Sequence, residues 1–316
     1  MAPIIEIQNL TKRFGSRTAV DGLTLEVEAG EIFGFVGPNG AGKTSAIRMM
    51  TTLLEPTGGE VRIDGYSVGK QARQVRQVIG YMPDLFGLYH NMKVWEYLDF
   101  FAACYRIPPG ARRGLIDDLL ELVDLSHRRD DVLDSLSRGM QQRLSLARTL
   151  VHDPKVLILD EPASGLDPRA RVEIRELLVQ LAGMGKTVFF STHILADVVE
   201  ICTRVGILEA GKLVAMGELE TLQQQVMPRR KLEITVLGAA GPAQAVLEQV
   251  PAISNVQITG QPNGKTRLEL EFSGDDDALS QVLAALVEHG IPVIHFSADS
   301  RDLEAVFMRA TKGLVT

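Results

Sequence analysis

The feature that most constrains this chain of 316 residues is a glycine-rich loop set between a strand and a helix. Residues 37–44 read GPNGAGKT and match the phosphate-binding pattern G-x-x-x-x-G-K-[ST]. The apolar run 30–36 before the loop predicts a buried strand, and residues 44–52 after it predict the start of a helix. In this context backbone N–H groups close around phosphate oxygens, and the helix N-terminus favours negative charge. The sequence therefore predicts a nucleoside triphosphate site with magnesium; the alternative is a glycine-rich loop that arose by chance.

Two side chains at the end of this loop have specific expected roles. Lys43 would reach the β- and γ-phosphates, and the hydroxyl of Thr44 would bind Mg²⁺. The other expected nucleotide contacts come from the loop and the residue after it, namely Gly37, Pro38, Asn39, Gly40, Ala41, Gly42 and Ser45.

Two carboxylates follow a second short apolar run. Residues 155–159 read KVLIL and lead into Asp160 and Glu161. Beside a phosphate loop, we expect Asp160 to hold Mg²⁺ through water and Glu161 to polarise the attacking water as a general base. The alternative is a surface turn with two solvated acids, which the phosphate loop upstream makes much less favoured.

Residues 136–143 lead into a predicted helix with a cap at its start. Met140, Leu144, Ala147 and Val151 recur at helical spacing, which predicts the buried face of that helix. Ser137 occupies the N-cap position, so the helix N-terminus offers an anion site. On physical grounds alone, an ordinary capped helix remains an open interpretation.

The remaining pattern predicts an α/β first domain. Polar and apolar residues alternate in residues 1–30, as in antiparallel strands with one solvated face. From residue 155 onward strands alternate with helices, which predicts a parallel sheet with crossover helices. Residues 92–126 have helical spacing and belong to a helical insert that we place at about 85–150.

A second domain is predicted after a change in composition near residues 223–228. We place the boundary between domains of residues 1–227 and 228–316. The second has the order β-α-β-β-α-β, with a turn at Asn263-Gly264 and a last helix at 301–311. This order is the ferredoxin-like arrangement.

Charge and hydropathy argue against several classes of protein. The formal net charge of −7 argues against nucleic acid as a partner. No apolar run is long enough to cross a membrane, and the N-terminus lacks a signal pattern. Cys104 and Cys202 lie far apart within apolar stretches, which is typical of reduced, buried thiols in a cytosolic protein.

Taken in order, these motifs resemble the nucleotide-binding subunits of ATP-binding cassette (ABC) transporters. The resemblance covers residues 4 to about 225: residues 37–44 match the Walker A motif, 156–161 match Walker B, and 136–140 fall on the LSGGQ signature. It implies a P-loop NTPase fold of ABC type, with a mixed sheet, a helical subdomain and an antiparallel β layer. The ferredoxin-like α+β domain would follow this fold.

Three further residues gain expected roles from the resemblance. Phe14 falls on the aromatic position that stacks on adenine, Asp167 ends the D-loop, and His193 falls on the switch histidine, which would join Lys43 and Glu161 in catalysis. Each signal is weak alone, because a histidine after a strand is usually structural and Phe14 fits a core position equally well. Their order and spacing give them weight.

The resemblance also implies an assembly. Two subunits would pair head to tail, with each ATP between the Walker motifs of one and the signature of the other, including Ser137 and Gly139; Asp167 is a further expected nucleotide contact. The chain would then be an exporter ATPase that drives a separately encoded permease at the cytoplasmic face of the cell membrane. Its second domain resembles the tail of drug- and antibiotic-exporter ATPases and would be stabilising, dimerising or regulatory. The alternative is a soluble ABC ATPase acting on ribosomes or DNA, which usually carries two cassettes or long insertions.

The chain departs from the family pattern at two places. Arg138 and Met140 replace glycine and glutamine of the signature, whereas Ser137 and Gly139 are kept. Asp84 stands where the family usually has the Q-loop glutamine, and we expect it to contribute to the Mg²⁺ site; the alternative is a helix cap that points away. The nearby residues Phe86, Leu88, Tyr89, Met92 and Trp95 belong either to the subdomain core or to an exposed docking groove.

Overall fold

The computed structural model describes residues 3–84, 87, 91–219, 221–222, 230–260 and 264–298. Its contacts divide the chain into two compact units, the first of which runs to Leu219. The predicted domain boundary at residues 227/228, the turn residue Asn263 and the predicted helix 301–311 lie outside the described residues. In the described part of the chain, no helix is long and apolar enough to cross a membrane.

An antiparallel sheet forms the first layer of the first unit. Alternate residues of its strands are buried, as in Ile5 and Ile7, and their neighbours face outward. This confirms the predicted strands with one solvated face. The strands lie in the order β2-β1-β4-β5, with β1 at Ile5–Phe14, β2 at Arg17–Val27, β4 at Gly58–Ile63 and β5 at Tyr66–Ser67.

A six-stranded sheet carries the predicted motifs. Its order is β10-β9-β3-β8-β7-β6, and every neighbouring pair is parallel except the edge pair β9 and β10. Strands covered on both faces need continuous apolar runs, as in β3 and β7, where every residue is buried. The strands are β3 (Ile32–Val36), β6 (Ile79–Met82), β7 (Val156–Asp160), β8 (Thr187–Thr192), β9 (Arg204–Glu209) and β10 (Lys212–Glu218).

Seven α-helices lie between residues 43 and 201. Pro109 is the first residue of α4, where a missing N–H has no cost, so the Pro108–Pro109 break separates α3 from α4. Cys104, the last residue of α3, is exposed, so its predicted burial is wrong; Cys202 is partly buried. The helices are α1 (Lys43–Met50), α2 (Ala72–Val78), α3 (Val94–Cys104), α4 (Pro109–Leu122), α5 (Arg138–Leu150), α6 (Pro168–Gly183) and α7 (Leu195–Ile201).

The second unit has its own sheet and core. Leu232, Ile234 and Val236 alternate inward along one strand and pack with Leu268 and Phe272. The sheet order β12-β13-β11-β14, with antiparallel neighbours, is the ferredoxin-like arrangement. Its elements are β11 (Arg230–Leu237), α8 (Ala240–Leu247), β12 (Ile253–Gly260), β13 (Lys265–Phe272), α9 (Asp276–Glu288) and β14 (Val293–Ala298).

Candidate active site

The phosphate loop joins β3 to α1 in a conformation that requires glycine. Gly42 has φ 110° and Gly40 has φ 83°, both in the region that residues with a side chain rarely adopt. A Cβ atom on Gly42 would collide with the carbonyl oxygen of Ala19, and one on Gly37 would collide with that of Leu208. The backbone is therefore packed tightly from behind, and it opens toward the cleft at the start of α1, where unpaired N–H groups favour an anion.

Lys43 is held over the mouth of this loop. Its ammonium group donates to the carbonyl oxygens of Gly37 at 2.6 Å and Pro38 at 3.3 Å. It also lies 3.4 Å from Oε1 of Glu161, and only 6% of the residue is exposed. A desolvated cation fixed in this way is preorganised for the negative charge of phosphate.

A hydroxyl and a carboxylate form the predicted metal position. Asp160 at the end of β7 is 1% exposed, and its Oδ1 accepts hydrogen bonds from Ser191 Oγ at 2.6 Å and Thr44 Oγ1 at 3.3 Å. Burial raises the pKa of Asp160, the two hydrogen bonds oppose this rise, and the nearby charges of Glu161 and Asp84 add to it. A bound cation would relieve this unfavourable charge, so these oxygens fit Mg²⁺.

The protein side chains alone do not complete a metal site. Among the described residues, no group of three His, Cys, Asp or Glu side chains could hold a metal ion. Mg²⁺ usually keeps several waters and binds one or two carboxylates together with substrate phosphates. The arrangement of Thr44 and Asp160 beside the phosphate loop matches that partial set.

Glu161 follows Asp160 and turns sharply into the cleft. Its φ of 51° is unusual for a residue with a side chain and costs on the order of 1 kcal/mol. The backbone N–H donates to Ser191 O and Ser191 Oγ, each at 3.1 Å, which holds the turn against β8. Oε2 accepts a hydrogen bond from Nδ1 of His193 at 2.8 Å, while Oε1 faces Lys43. The carboxylate is thereby oriented by two basic groups.

A cleft of about 510 Å³ brings most of the predicted residues together. Phe14 is 50% exposed and lines it, so the interpretation of Phe14 as a core residue is wrong. Asp84 also lines the cleft, which favours the expected contribution to the metal site over a helix cap. The other predicted residues that line it are Pro38, Asn39, Gly40, Gly42, Lys43, Thr44, Ser45, Glu161 and His193.

Sequence reasoning gave no individual role to three residues of this region. Arg17 lies opposite Phe14 in the β1–β2 ladder and lines the cleft, as does Ser164. Ser191 bonds both acids because β8 lies between β3 and β7, with Ser191 opposite Asp160. A hydroxyl two positions before His193 was the available signal for Ser191.

The predicted signature residues lie apart from the nucleotide cleft. Ser137, Gly139 and Asp167 line a second cleft of about 230 Å³, together with Arg138 and Leu166. Ser137 caps α5 by accepting from Met140 N at 3.3 Å, which confirms its predicted N-cap position. Asp167 caps α6 in the same way, accepting from Ala170 N at 3.0 Å. The nucleotide-binding motifs and the signature residues thus line two separate clefts.

Comparisons with known proteins agree with this geometry. Residues 20–164 match the ABC transporter family. The chain is 35% identical over 314 residues to the bacitracin transport ATP-binding protein BcrA of Bacillus licheniformis, covering 99% of each chain. It is 35% identical over 311 residues to the Nod factor export ATP-binding protein I of Burkholderia thailandensis, covering 98% of this chain and 97% of that protein.

A solved structure has the same fold in its cassette. The dimeric post-hydrolysis state of the ATP-binding cassette MJ0796, bound to ADP and Pi, matches with a TM-score of 0.62 and 26% identity. The match covers 68% of this chain and 98% of that one. Since relatives with 35% identity extend over nearly the whole length, the chain belongs to the ABC transporter family and is one of its ATP-binding, ATP-hydrolysing proteins.

Proposed function

We propose that this chain is the ATPase subunit of an exporter, acting as a head-to-tail homodimer on a separate membrane permease from the cytoplasmic face. The observation that carries the proposal is the separation of two half-sites on one chain. Lys43 and Glu161 line one cleft, whereas Ser137 and Gly139 line another. In a head-to-tail dimer, the cleft with Ser137 and Gly139 on each subunit would face the nucleotide cleft of the other subunit.

The residues of the nucleotide cleft would divide the work of hydrolysis. Lys43 would supply positive charge for the β- and γ-phosphates, while Thr44 and Asp160 would hold Mg²⁺, which would neutralise phosphate charge. The Lys43–Glu161 ion pair, 3.4 Å long, must open when Lys43 turns toward a phosphate. Glu161 is then held by His193 alone and is free to accept a proton from water.

The proposed export role rests on the relatives. The two relatives above are named for bacitracin transport and Nod factor export, and they align with this chain from end to end. They favour export over the alternative of a soluble ABC ATPase that acts on ribosomes or DNA. The net charge of −7 supports the same choice.

A mixed dimer tests the proposed composite site. When Lys43→Ala on one subunit is paired with Ser137→Ala on the other, both lesions fall in the same site and one site stays intact. When both substitutions are on the same subunit, each site carries one lesion. We expect higher ATPase activity, per mixed dimer, from the first arrangement. Equal activity in the two arrangements would refute the composite site.

A groove beside the nucleotide cleft supports the proposed permease contact. It measures about 340 Å³ and combines exposed apolar side chains, such as Leu53 and Tyr105, with Arg76 and Arg148. Tyr81 and Pro83 line the groove, and the next residue, Asp84, lines the nucleotide cleft. We propose that a permease segment with apolar and acidic side chains docks here, because it complements both the surface and its charge. A shift at Pro83 would then reach Asp84 directly.

The predicted docking residues lie elsewhere or outside the described chain. Phe86, Leu88 and Tyr89 are not among the described residues. Met92 and Trp95 are half-buried, and Trp95 lies against Arg129 in a different cavity, with the guanidinium carbon 5.8 Å from its ring centre. The groove at Leu53 and Tyr105 therefore supports the docking proposal better than Met92 and Trp95 do.

Affinity capture from detergent-solubilised membranes tests the permease contact. The tagged chain should retain a multi-span membrane protein, and Leu53→Glu, which adds an acid to a 62% exposed position in the groove, should lose it. Val287→Glu, at a 61% exposed position in the second unit, is the matched control and should retain it. Sedimentation with ribosomes instead would favour the alternative function.

A further inference from the structure

Arg138, a residue that departs from the family signature, contacts the loop that follows the general base. Its Nη2 atom donates to the carbonyl oxygen of Ser164 at 3.3 Å. Gly165 has φ 68°, and a Cβ atom there would lie 2.5 Å from the guanidinium carbon of Arg138 and 2.6 to 2.7 Å from its two terminal nitrogens. The guanidinium group therefore occupies the space that a side chain at position 165 would take.

The loop that Arg138 contacts also belongs to the nucleotide cleft. Ser164 lines that cleft together with Glu161, and the N–H of Ser164 donates to the carbonyl oxygen of Glu161 at 3.1 Å. Arg138 and Gly165 both line the second cleft. The short segment 161–165 thus connects the proposed general base, Glu161, to the guanidinium group of Arg138 at the start of α5.

A glycine, which the family signature usually has here, could make no such contact. Arginine presents a planar fork of donors that can lie flat on a backbone and still bond a carbonyl oxygen. Without it, the N-terminus of α5 and the loop before α6 would lose a charge-assisted hydrogen bond and the guanidinium surface packed against Gly165. The first segment carries Ser137, which is expected to face the partner's nucleotide, and the second carries Asp167, an expected nucleotide contact.

We propose that Arg138 is a positioning residue. It holds the N-terminus of α5 and the Ser164–Asp167 loop together as one preformed surface for the nucleotide bound by a second copy of the chain. This inference rests on the proposed head-to-tail dimer. Preorganisation of this kind favours association by reducing the ordering that binding would otherwise require. We expect ATP binding by the isolated chain to be unaffected, because Arg138 does not line the nucleotide cleft and reaches Ser164 only through its backbone carbonyl oxygen.

The test measures ATP-dependent dimerisation in the Glu161→Gln background, in which hydrolysis is expected to stop. Arg138→Gln should weaken dimerisation about tenfold, because the loop must then be ordered as the dimer forms. ATP affinity of the monomer, measured at dilute protein concentration, and the melting temperature should both stay unchanged. Arg138→Lys keeps the charge without the planar fork and should recover only part of the loss.

Arg169→Gln provides the matched control. Arg169 lines the same cleft, but it is 91% exposed and pairs with Glu173 at 3.3 Å. We expect its replacement to change dimerisation less than twofold. Equal losses for Arg138→Gln and Arg169→Gln would show that only the charge of the cleft matters and would overturn the proposal.

The remaining outcomes also decide the question. Unchanged dimerisation of Arg138→Gln would overturn the positioning role, as would a lower melting temperature or weaker ATP binding by the monomer, which would indicate a structural role. If the Glu161→Gln parent itself forms no dimer with ATP while it still binds ATP, the proposed head-to-tail function fails. That result is distinct from a failure of the role of Arg138.

Discussion

Among single residues, Glu161 shows most clearly how the chain prepares a carboxylate for proton transfer. Its two oxygens face different basic groups, Lys43 at 3.4 Å and His193 at 2.8 Å. The backbone is held in a left-handed conformation by two hydrogen bonds to Ser191. Such strain persists only where the surroundings enforce it, and here it points the carboxylate into the cleft.

Replacing Glu161 by glutamine should separate binding from turnover. The amide has the same length and can still accept a hydrogen bond from His193, but it cannot act as a base at neutral pH. Lys43 loses an ion pair that must open in any case when it turns toward phosphate, and Thr44 and Asp160 stay in place. We therefore expect retained ATP binding, a turnover at least about 100-fold lower and an ATP-bound dimer that accumulates. Equilibrium binding measures the ATP affinity, and phosphate release measures the turnover. Turnover near that of the unmodified protein would show that Glu161 is not the general base.

Phe14 should contribute to adenine binding by stacking. The ring is half exposed in the nucleotide cleft, so its removal opens no cavity in the core. Loss of about 1 kcal/mol of stacking energy corresponds to a several-fold higher KM for ATP in Phe14→Ala, with kcat little changed. Phe100→Ala, at a 42% exposed position outside the cleft, is the control and should leave KM unchanged.

Asp84 should make ATP binding more dependent on Mg²⁺. Its carboxylate lies in the cleft, and its negative charge contributes to the raised pKa of Asp160. Without metal it repels phosphate, whereas with metal the cation dominates. For Asp84→Gln we expect a higher ATP affinity without metal and a smaller gain on adding Mg²⁺, as measured by titration. Asp84→Glu keeps the charge and should behave like the unmodified protein; superimposable curves for all three would assign Asp84 no role at the metal.

Among the helices, α6 and α7 are joined by a buried ion pair, and α7 is the helix that follows His193. Arg175 Nη1 lies 3.2 Å from Asp197 Oδ1, and their side chains are 11% and 2% exposed. Burial raises the pKa of Asp197, and the nearby Arg171 and Arg175 oppose this rise. The buried carboxylate therefore depends on its arginine neighbours to offset the cost of burying its charge.

Breaking this pair should be far more harmful than replacing it. Arg175→Met leaves the carboxylate of Asp197 buried without its hydrogen-bond partner and should lower the free energy of unfolding by about 3 kcal/mol, whereas Arg175→Met combined with Asp197→Leu should restore most of the loss. Urea unfolding measures both. The exposed Lys155–Asp64 pair, 2.7 Å long, is the control, and Lys155→Met should cost less than about 1 kcal/mol. A double variant as unstable as the single one would contradict the argument.

Elements that depend on neighbouring residues could be predicted from the sequence, whereas elements that depend on distant strands could not. Strand β3, the phosphate loop and Asp160-Glu161 were predictable because an apolar run and its motif are adjacent in the chain. Strand β6 is four residues long, contains Gly80 and is defined by its parallel partner β7, about 75 residues away, so no local pattern predicted it. Ser191 acquires its role only from the register that places it opposite Asp160. Such pairings depend on distant parts of the chain.

For the molecule as a whole, the distribution of function between the two units is the main question. Every residue of the candidate site precedes Leu195, within the first unit. The second unit buries its own apolar residues, among them Leu232, Ile234 and Phe272. A unit with its own core and a complete sheet order is expected to fold independently.

The fragment 1–228 should therefore remain a folded ATPase, with the circular dichroism of an α/β protein and a melting transition of its own. The fragment 229–316 should likewise fold when it is expressed separately. An insoluble 1–228 fragment would show that the tail completes the core. Comparing ATP-dependent dimerisation of 1–228 with that of the full chain, both carrying Glu161→Gln, then assigns the tail: weaker dimerisation indicates a dimerising domain. If dimerisation is unchanged, the hydrolysis rate of the 1–228 fragment that keeps Glu161 is compared with that of the unmodified full chain. Faster hydrolysis by the fragment indicates a regulatory domain, because removing a restraint raises turnover without changing the association of the first unit.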